Sequence, residues 1–433
     1  MESLDDSLIS NYKKRNRKLF VFYKTLAHDL LFYYTISYLF LVNIKGLSAA
    51  QIVFAESFYP IFEVILQIPC TALIKKFGKK KSLLIGNLGI AIYLFMVLTL
   101  NNILELIIAN FFCAIGFVIK GLSESTLLYD SLEDNKDKKE SFSKIEGKAS
   151  SCFFFVDAIT AFLTGFLYAI NPYFPISFSL IAICIALIIN IFLYDIPVKH
   201  SSNETNQKNI SSSQLKDILQ GFKYIFNSNR LRALILFNAL FASLVTLMVT
   251  LHRSILDDVN VSSEYLGIIF ALMGIVVSFS STRSVDLHKK YRNKTLSFLG
   301  IILTISIAIT GLSPLINLPK FMMYYILLIT ISLVYIVKGP FYILIKQYLN
   351  SFCDSNMRLK IYSANQIIEY TSKATLSIIC SFMLSCFSSA VTTLIIGLCS
   401  FILMLFLISY MSTRVGLKPE QYSEKDIFFL ELE

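Results

Sequence analysis

The sequence predicts an all-α membrane protein whose twelve transmembrane helices form two pseudo-symmetric bundles of six. Its composition is 55% hydrophobic and 16% charged, whereas soluble globular domains carry roughly 25% charged residues. Apolar runs recur along the 433 residues, and each supplies about the 20 residues that a membrane-crossing helix needs. An internal repeat is the third observation, because it relates the first half of the chain to the second.

The repeat pairs residues 74–86 with residues 288–300, position by position and without a gap. Identical residues occupy four of the paired positions: Lys75 and Lys289, Lys76 and Lys290, Lys80 and Lys294, and Gly86 and Gly300. The same register also places Ser48 on Ser262. A register that holds from about residue 46 to residue 86 favours a duplicated six-span unit over a chance match.

Twelve apolar segments define the spans in chain order. We place them at about residues 19–43, 51–73, 82–101, 103–128, 149–170, 174–195, 231–252, 262–282, 295–314, 321–345, 362–385 and 388–411. The first six form an N-terminal bundle (19–197) and the last six a C-terminal bundle (231–411). The connection over residues 198–230 is predicted to be a polar linker with an amphipathic helix, because apolar residues recur there at helical spacing. Residues 1–18 and 412–433 form the two polar tails.

The basic residues fix the predicted orientation. Of the 39 Lys and Arg residues, 32 fall on the side of the two tails, four lie within spans, and Lys45, Arg253 and Lys320 fall on the opposite side. Cytoplasmic loops carry such an excess, so both termini are predicted to be cytoplasmic. The charges sit in short clusters between spans, which argues against nucleic acid as the reason for the net charge of +10.

Several other classes of protein lack support in the sequence. Residues 1–18 are polar, end in a basic run and show no cleavage-like site, so the first span is expected to stay in the membrane. The eight cysteines are scattered singly, without a CxxC pair or a His at ligand spacing, and we expect no metal and no cofactor. We predict that the protein is not an enzyme, because the spans contain no nucleophile and base constellation and the chain has no phosphate-binding GxxxxGK[ST] loop.

The loop between spans 2 and 3 carries a basic signature around a glycine, made up of Leu73, Lys76, Gly78, Lys79 and Lys80. The chain thereby resembles the major facilitator superfamily. The resemblance implies two six-helix halves, alternating access, and a role for Lys76, Gly78, Lys79 and Lys80 in switching between access states. Lys75 and Thr71 stand where that family carries an acidic residue and a first glycine. The alternative is that these lysines only set the topology.

Three further segments carry the same resemblance. Residues 46–52 are similar to the start of span 2 in that superfamily, and Arg358 and Ser363 to its loop between spans 10 and 11. Residues 127–132 (LLYDSL) are similar to the end of span 4 in the branch of drug and macrolide exporters. This branch implies export. Its Gly- and Pro-rich signature in span 5 is missing, since residues 157–168 offer only Gly165.

The candidate chemistry lies in ionisable groups inside spans, because each is costly unless it faces a polar cavity or a partner. At about 1.5 Å per residue, Asp29, Lys120, Asp157 and Lys338 lie about 10 to 15 Å from the cytoplasmic ends of their spans. These four residues therefore form one layer. Four more ionisable residues lie in or near it: Glu63, Glu124, Glu369 and Lys373.

Carboxyl groups in this layer are candidates for proton coupling. We select Asp29, Glu124 and Asp157, with Asp29 first, because a substrate that binds beside a buried carboxylate can exchange for its proton. His28 is a candidate for the substrate cavity or, alternatively, a packing residue. Lys24 is shallow enough to reach the membrane surface, so we assign it no chemistry.

Two lysines are the remaining cavity candidates. Lys120 and Lys338 both precede a glycine, at equivalent places in spans 4 and 10, and these spans line the cavity in the superfamily that the chain resembles. They could bind an anionic group of the substrate, or each could close a salt bridge, Lys120 with Glu124 one turn on. Glu369 and Lys373, four positions apart in one helix, are expected to form a structural pair.

These observations predict a secondary active transporter, a monomer in a bacterial plasma membrane, that exports an amphipathic small molecule by proton-coupled alternating access. Its expected partners are the small-molecule substrate, protons and the lipid bilayer. Uptake of a small polar or anionic solute is the alternative within transport. A receptor or a lipid scramblase is the alternative from another class, because a fold does not dictate a function.

Overall fold

A computed structural model describes residues 2–133, 138–196, 210–291, 294–352 and 357–412, and these are helical with short connections. The helices are α1 (Glu2–Ala27), α2 (Ser37–Leu39), α3 (Ala49–Phe77), α4 (Lys79–Thr99), α5 (Ile103–Asp130), α6 (Lys138–Ile170), α7 (Phe174–Ile191), α8 (Ile210–Asn227), α9 (Asn229–Asp258), α10 (Ser263–Thr282), α11 (Ser284–Tyr291), α12 (Lys294–Leu312), α13 (Lys320–Phe352), α14 (Arg358–Cys386) and α15 (Ser389–Ser412). The predicted all-α class is confirmed.

Eleven of the described helices are long and apolar enough to cross a membrane. They account for predicted spans 2 to 12, from α3 at one end of the series to α15 at the other. The predicted N-tail is itself helical, since α1 begins at Glu2 and runs on into the first apolar segment. Most of the polar linker before α8 and the C-tail from residue 413 lie outside the described residues.

The first predicted span is not one helix, which corrects the continuous segment expected over residues 19–43. Helix α1 ends at Ala27, residues 28–36 form bends and turns, and helical structure resumes in α2 and a π-helical turn (Phe40–Ile44). Phe32 sits in this unwound segment with a φ of +63°. Because L-residues with a side chain rarely adopt positive φ, this residue interrupts the helix that the apolar pattern alone predicts.

Side chains of two neighbouring helices support the unwound segment. The Ser179 hydroxyl of α7 donates a hydrogen bond to the Leu31 carbonyl, and the Thr164 hydroxyl of α6 lies 3.3 Å from the Phe32 carbonyl. Non-helical backbone at membrane depth is tolerated only where it is buried in protein or lines a polar cavity. The segment is therefore a specifically supported break in the first span.

The chain divides into two units. Unit 1 comprises Met1–Leu47, Phe58–Ser211 and Ser262–Ala271, and unit 2 comprises Ser48–Ser57, Ser212–Val261 and Leu272–Glu433. In unit 1, α4 and α5 approach closely because glycines face each other. A Cβ atom on Gly89 would lie 2.9 Å from the Phe112 carbonyl oxygen, and α4 also packs on α7. Helix α1 packs on α6 and α7.

Unit 2 is built around α9, which runs without a break for 30 residues. Its Phe241 stacks on Phe341 of α13 with ring centroids 3.5 Å apart, and Phe237 packs 6.1 Å from the same ring. These rings belong to a large cluster of buried apolar residues to which α12, α14 and α15 also contribute. The centre of unit 2 is thus mainly apolar and aromatic.

The length of α9 also changes the position that the predicted topology gave to one residue, Arg253. The helix continues to Asp258, well beyond the end of span 7 predicted near residue 252, and it buries Arg253 with 6% of its surface exposed. Arg253 is therefore inside a helix and buried, and it does not belong to the loop in which the charge count placed it.

Candidate functional site

The loop between α3 and α4 is organised around Gly78. Its φ of +82° and ψ of +169° belong to a region that glycine alone occupies readily. A Cβ atom at this position would lie 2.6 Å from Asp195 Oδ2. Asp195 follows α7, and its Oδ1 accepts a hydrogen bond of 2.9 Å from the Lys80 backbone N–H at the start of α4. Gly78 is thus required for a direct tie between α7 and α4.

The lysines of this loop divide between ion pairs and aromatic contacts. Lys79 forms a salt bridge with Asp130 at the end of α5. Lys80 lies over the Tyr194 ring at 5.2 Å from its centroid, and Lys76 over the Phe77 ring at 5.3 Å. The predicted switch loop is therefore joined to the ends of α5 and α7 within unit 1.

Lys120 and Glu124 lie on one face of α5 and are both buried, with 2% and 7% exposed surface. Lys120 Nζ is 3.9 Å from Glu124 Oε1 and has no hydrogen-bond partner among the described residues. Tyr23 of α1 donates a hydrogen bond of 3.1 Å to Glu124 Oε1, and Asn87 of α4 donates one of 3.1 Å to the Tyr23 hydroxyl. The ion pair expected one turn apart is present but loose.

A second pair neighbours this one. Lys24 is 4% exposed and forms a salt bridge with Glu146 of α6. The expectation that Lys24 reaches the membrane surface was wrong, because α1 packs this face against α6. Both charges act on the first pair, since Lys24 interacts electrostatically with Lys120 and with Glu124, and Glu146 with Glu124. Sequence reasoning missed Glu146, which belongs to a polar stretch assigned to the loop before span 5.

Asp29 lies in the unwound segment and is partly exposed. Its Oδ1 accepts a hydrogen bond of 2.9 Å from the Leu30 backbone N–H, and its carboxylate interacts electrostatically with the Tyr34 hydroxyl. It interacts electrostatically with Lys120 of α5 and with Asp157 of α6. The structure therefore places the first-choice carboxylate among the other candidates of unit 1.

His28 precedes Asp29 and contacts aromatic rings of α6. Its ring is 4.6 Å from Phe153 and 6.3 Å from Phe154, both in edge-on geometry. It also interacts electrostatically with Lys120. His28 thus packs on α6 beside the charged residues, a position that fits both interpretations made from the sequence.

Lys338, the last candidate, belongs to unit 2, where its ammonium group lies 5.7 Å from the centroid of the Tyr335 ring. Elsewhere in unit 2, Lys373 and Glu369 form a 2.6 Å ion pair, and Asn238 donates a hydrogen bond of 3.2 Å to Glu369. The pair expected between residues 369 and 373 is therefore present.

Unit 2 contains a second polar group that the sequence did not reveal. Glu56 accepts a hydrogen bond of 2.7 Å from the Thr250 hydroxyl of α9 and interacts electrostatically with Arg253. His252 is fully buried, and neither ring nitrogen has a hydrogen-bond partner among the described residues. Span 7 was predicted to end near residue 252, so this group was not recognised from the sequence. Extending span 7 through its apolar residues to Leu256 would have brought Arg253 into the membrane.

Unit 1 contains a set of charged groups that interact with one another. In unit 1 four carboxyl groups and two amino groups form one electrostatically connected set: Asp29, Glu124, Glu146 and Asp157, with Lys24 and Lys120. Such an excess of acid favours protons and cationic ligands over anions. Among the described residues, no group of three or more His, Cys, Asp and Glu side chains could hold a metal ion.

The fold and this set of charged groups define a helical membrane transporter. The sequence profile of the Major Facilitator Superfamily matches residues 25–374, and the chain belongs to that family. One relative is an uncharacterized MFS-type transporter, YxaM of Bacillus subtilis (strain 168), which is 23% identical over 275 residues. The alignment covers 61% of this chain and 66% of that protein, just under two thirds of its length.

Solved structures share the fold at low sequence identity. The nucleoside transporter NupG superposes with a TM-score of 0.71 at 12% identity, over 93% of this chain and 99% of that one. A POT family transporter in complex with 5-aminolevulinic acid gives a TM-score of 0.64 at 12% identity, over 95% and 97% of the two chains. At this identity the likenesses show the fold, and the assignment to a family of transporters rather than enzymes rests on the sequence profile.

Proposed function

We propose that the protein exports an amphipathic, cationic small molecule in exchange for protons, with Asp29 as the coupling carboxylate. One observation carries the proposal: Asp29 lies in a supported break of the first span, beside Lys120 and Asp157. Unwound segments within a membrane commonly form the binding sites of transporters, because their backbone groups can meet a ligand. Asp29 is partly exposed and so open to such a ligand.

The charged groups of unit 1 allow a proton and a cationic substrate to exchange. Lys120 interacts with both Asp29 and Glu124, and one ammonium group balances the charge of only one carboxylate. The other carboxylate then requires either a proton or a cationic substrate, and binding one weakens the binding of the other. Glu124 and Asp157 are the carboxyl groups to which the proton passes, because each is electrostatically connected to Asp29 directly or through Lys120.

The proposal also specifies the membrane topology, the direction of transport and the conformational switch. We place both termini in the cytoplasm, on the strength of the distribution of Lys and Arg between loops, and we propose a monomer in a bacterial plasma membrane. The similarity of residues 127–132 to drug and macrolide exporters supports export. The loop at Lys76, Gly78, Lys79 and Lys80 serves as the conformational switch, and its ties to Asp130 and Asp195 support that role.

A second candidate, uptake of a small anionic solute with protons, is favoured by one observation. Lys120 Nζ is buried, lies 3.9 Å from its carboxylate partner and has no hydrogen-bond partner among the described residues. A carboxylate or phosphate on a substrate would supply that partner. The solved proteins that share the fold include a nucleoside transporter and a POT family transporter in complex with 5-aminolevulinic acid, and such solutes are polar.

Flux into liposomes of purified protein separates the candidates. A permanently charged quaternary ammonium dye is the probe, since pH alone does not trap it, and the membrane potential is clamped with potassium and valinomycin. Proton exchange predicts that the dye accumulates when the lumen is acidic. Proton-coupled uptake predicts that a small anion accumulates when the outside is acidic. Lipid transfer without a gradient would indicate a scramblase, and absence of any flux with folding confirmed would contradict transport of these classes.

A further inference from the structure

A groove on α1 is not used by the transport proposal. It has a volume of about 300 Å³ and is lined by Asn11, Lys14, Arg15, Lys18 and Leu19. These positions recur at three and four residues, so they lie on one face of the helix. The three basic side chains are exposed. This surface, which we call the α1 groove, is therefore cationic and ends at an apolar residue.

Another face of α1 packs against the rest of unit 1. Tyr12 stacks on Tyr194 with ring centroids 4.0 Å apart. Asn16 is fully buried, donates hydrogen bonds of 2.9 Å to the Ser131 hydroxyl and 2.8 Å to the Tyr194 carbonyl, and accepts one of 3.0 Å from the Tyr194 N–H. These contacts hold the basic face in one position, so a ligand need not order it.

The charge in the groove is not neutralised by nearby acids. Among the described residues, Arg17 pairs with Glu133 and Lys79 with Asp130, but no ion pair is found for Lys14, Arg15 or Lys18. Arg15 lies instead over the rings of Phe192 and Tyr194, at 5.3 Å from each centroid. These contacts leave its charge available to an anion.

The fold adds a further cation from a distant part of the chain. Lys80, in the first turn of α4, lies 5.2 Å from the centroid of the same Tyr194 ring that Arg15 contacts. Two basic runs that are far apart in the sequence therefore meet at one aromatic side chain. Their juxtaposition concentrates positive charge at one end of unit 1.

We propose that the α1 groove binds the headgroup of an anionic phospholipid. Leu19 begins the first apolar segment, which puts the basic residues at the depth of the headgroups. From Asn11 to Leu19 the helix rises about 12 Å, so one headgroup and the start of its acyl chains fit along the groove. Basic clusters directly before a membrane span attract anionic lipids, and here they belong to a rigid, aromatic-backed surface.

Native mass spectrometry of the delipidated full-length protein tests the proposal. Phosphatidylglycerol is added, with phosphatidylcholine as the zwitterionic comparison, and retained lipid is counted. The variant K14Q/R15Q/K18Q should retain at least tenfold less phosphatidylglycerol than the wild type. The charge-preserving variant K14R/K18R should retain it, which separates lost charge from a folding defect. Retention should also fall as salt is raised.

The matched control is K144Q/K148Q/K216Q, which removes three exposed lysines that lie outside the groove and outside both basic runs. The proposal requires this control to keep wild-type retention. Equal losses in both triple variants would show a diffuse charge effect and overturn the groove. No loss in K14Q/R15Q/K18Q would overturn it as well. Displacement of the lipid by millimolar inorganic phosphate would show a simple anion site and overturn the lipid assignment.

Discussion

Units 1 and 2, which consist mainly of the two halves that the internal repeat predicts to be related, differ in their first membrane helices. In unit 1 the first span unwinds at residues 28–36 and carries Asp29 in the break. In unit 2 the corresponding first helix, α9, is continuous over Asn229–Asp258. The register of the internal repeat, carried back to these helices, pairs Asp29 with the buried, helical Ser243.

The same register pairs Lys24 with Asn238. Lys24 forms a salt bridge with Glu146 of α6, whereas Asn238 makes neutral or charge-assisted hydrogen bonds to Asn365 and Glu369 of α14. Unit 1 thus uses formal charge where unit 2 uses an amide. Under the proposed function, we therefore expect the coupling chemistry to be concentrated in unit 1, whereas the first helix of unit 2 is continuous.

The largest effect is expected from Asp29→Asn. Gradient-driven dye uptake should fall to the level of protein-free liposomes, because the asparagine cannot alternate between a proton and a cation. Glu369→Gln changes a carboxyl group of unit 2 in the same way and should keep most of the rate. Equal losses in the two variants would remove the distinction between the units. The elution volume in gel filtration shows whether either variant is misfolded.

Lys120→Gln should raise the affinity for the cationic dye by about tenfold, or about 1.4 kcal/mol, because Asp29 and Glu124 lose their shared counter-charge and the site becomes more negative. Adding Glu124→Gln should reverse part of that gain by removing the uncompensated carboxylate. Lys338→Gln in unit 2 should have a smaller effect than Lys120→Gln. Equilibrium dialysis of the dye measures all three. A larger effect at Lys338 would favour an anion site in unit 2.

Substitutions at three glycines test whether the switch loop requires Gly78. Gly78→Ala should destabilise the protein most, by about 1 to 3 kcal/mol from backbone strain together with the contact to Asp195. Gly46 has a φ of +68° but open space around its Cβ position, so Gly46→Ala tests strain alone. Gly121 is helical with open space, and Gly121→Ala should be neutral or stabilising. Thermal unfolding in detergent ranks them, and equal melting temperatures would contradict the strain argument.

The smallest effect concerns the support of the unwound segment. Ser179→Ala removes the hydrogen bond to the Leu31 carbonyl and should lower stability by about 1 kcal/mol. Ser400→Ala in unit 2 is the control, because its buried hydroxyl donates only to the Gly397 carbonyl of its own helix. A loss at Ser400 as large as that at Ser179 would show that the break needs no special support.

The class of the fold was predictable because membrane spans follow from length, apolar composition and the distribution of basic residues. The repeat at residues 74–86 and the glycine of the loop were also informative, since Gly78 is required by its backbone and by Asp195. The break at residues 28–36 was not predictable from apolar pattern, because Tyr33, Tyr34 and Thr35 are compatible with a helix and the supporting Ser179 is far along the chain.

The candidate site was predictable as a set of residue types but not as a set of contacts. Asp29, Lys120 and Asp157 were selected because an ionisable group inside a span is costly unless it has a partner or faces a polar cavity. The three residues interact electrostatically in unit 1. Glu146 and Arg253 were missed because each lies near a predicted helix end, where a small error in the boundary moves a side chain from solvent to the interior. Their pairing depends on tertiary packing that the local sequence does not encode.

Proton release on substrate binding tests the central claim most directly. Detergent-solubilised protein in weak buffer is mixed with the quaternary ammonium dye, and the pH change is recorded for the wild type, Asp29→Asn and Glu369→Gln. The account predicts release by the wild type and by Glu369→Gln and none by Asp29→Asn. Undiminished release by a folded Asp29→Asn variant would contradict it.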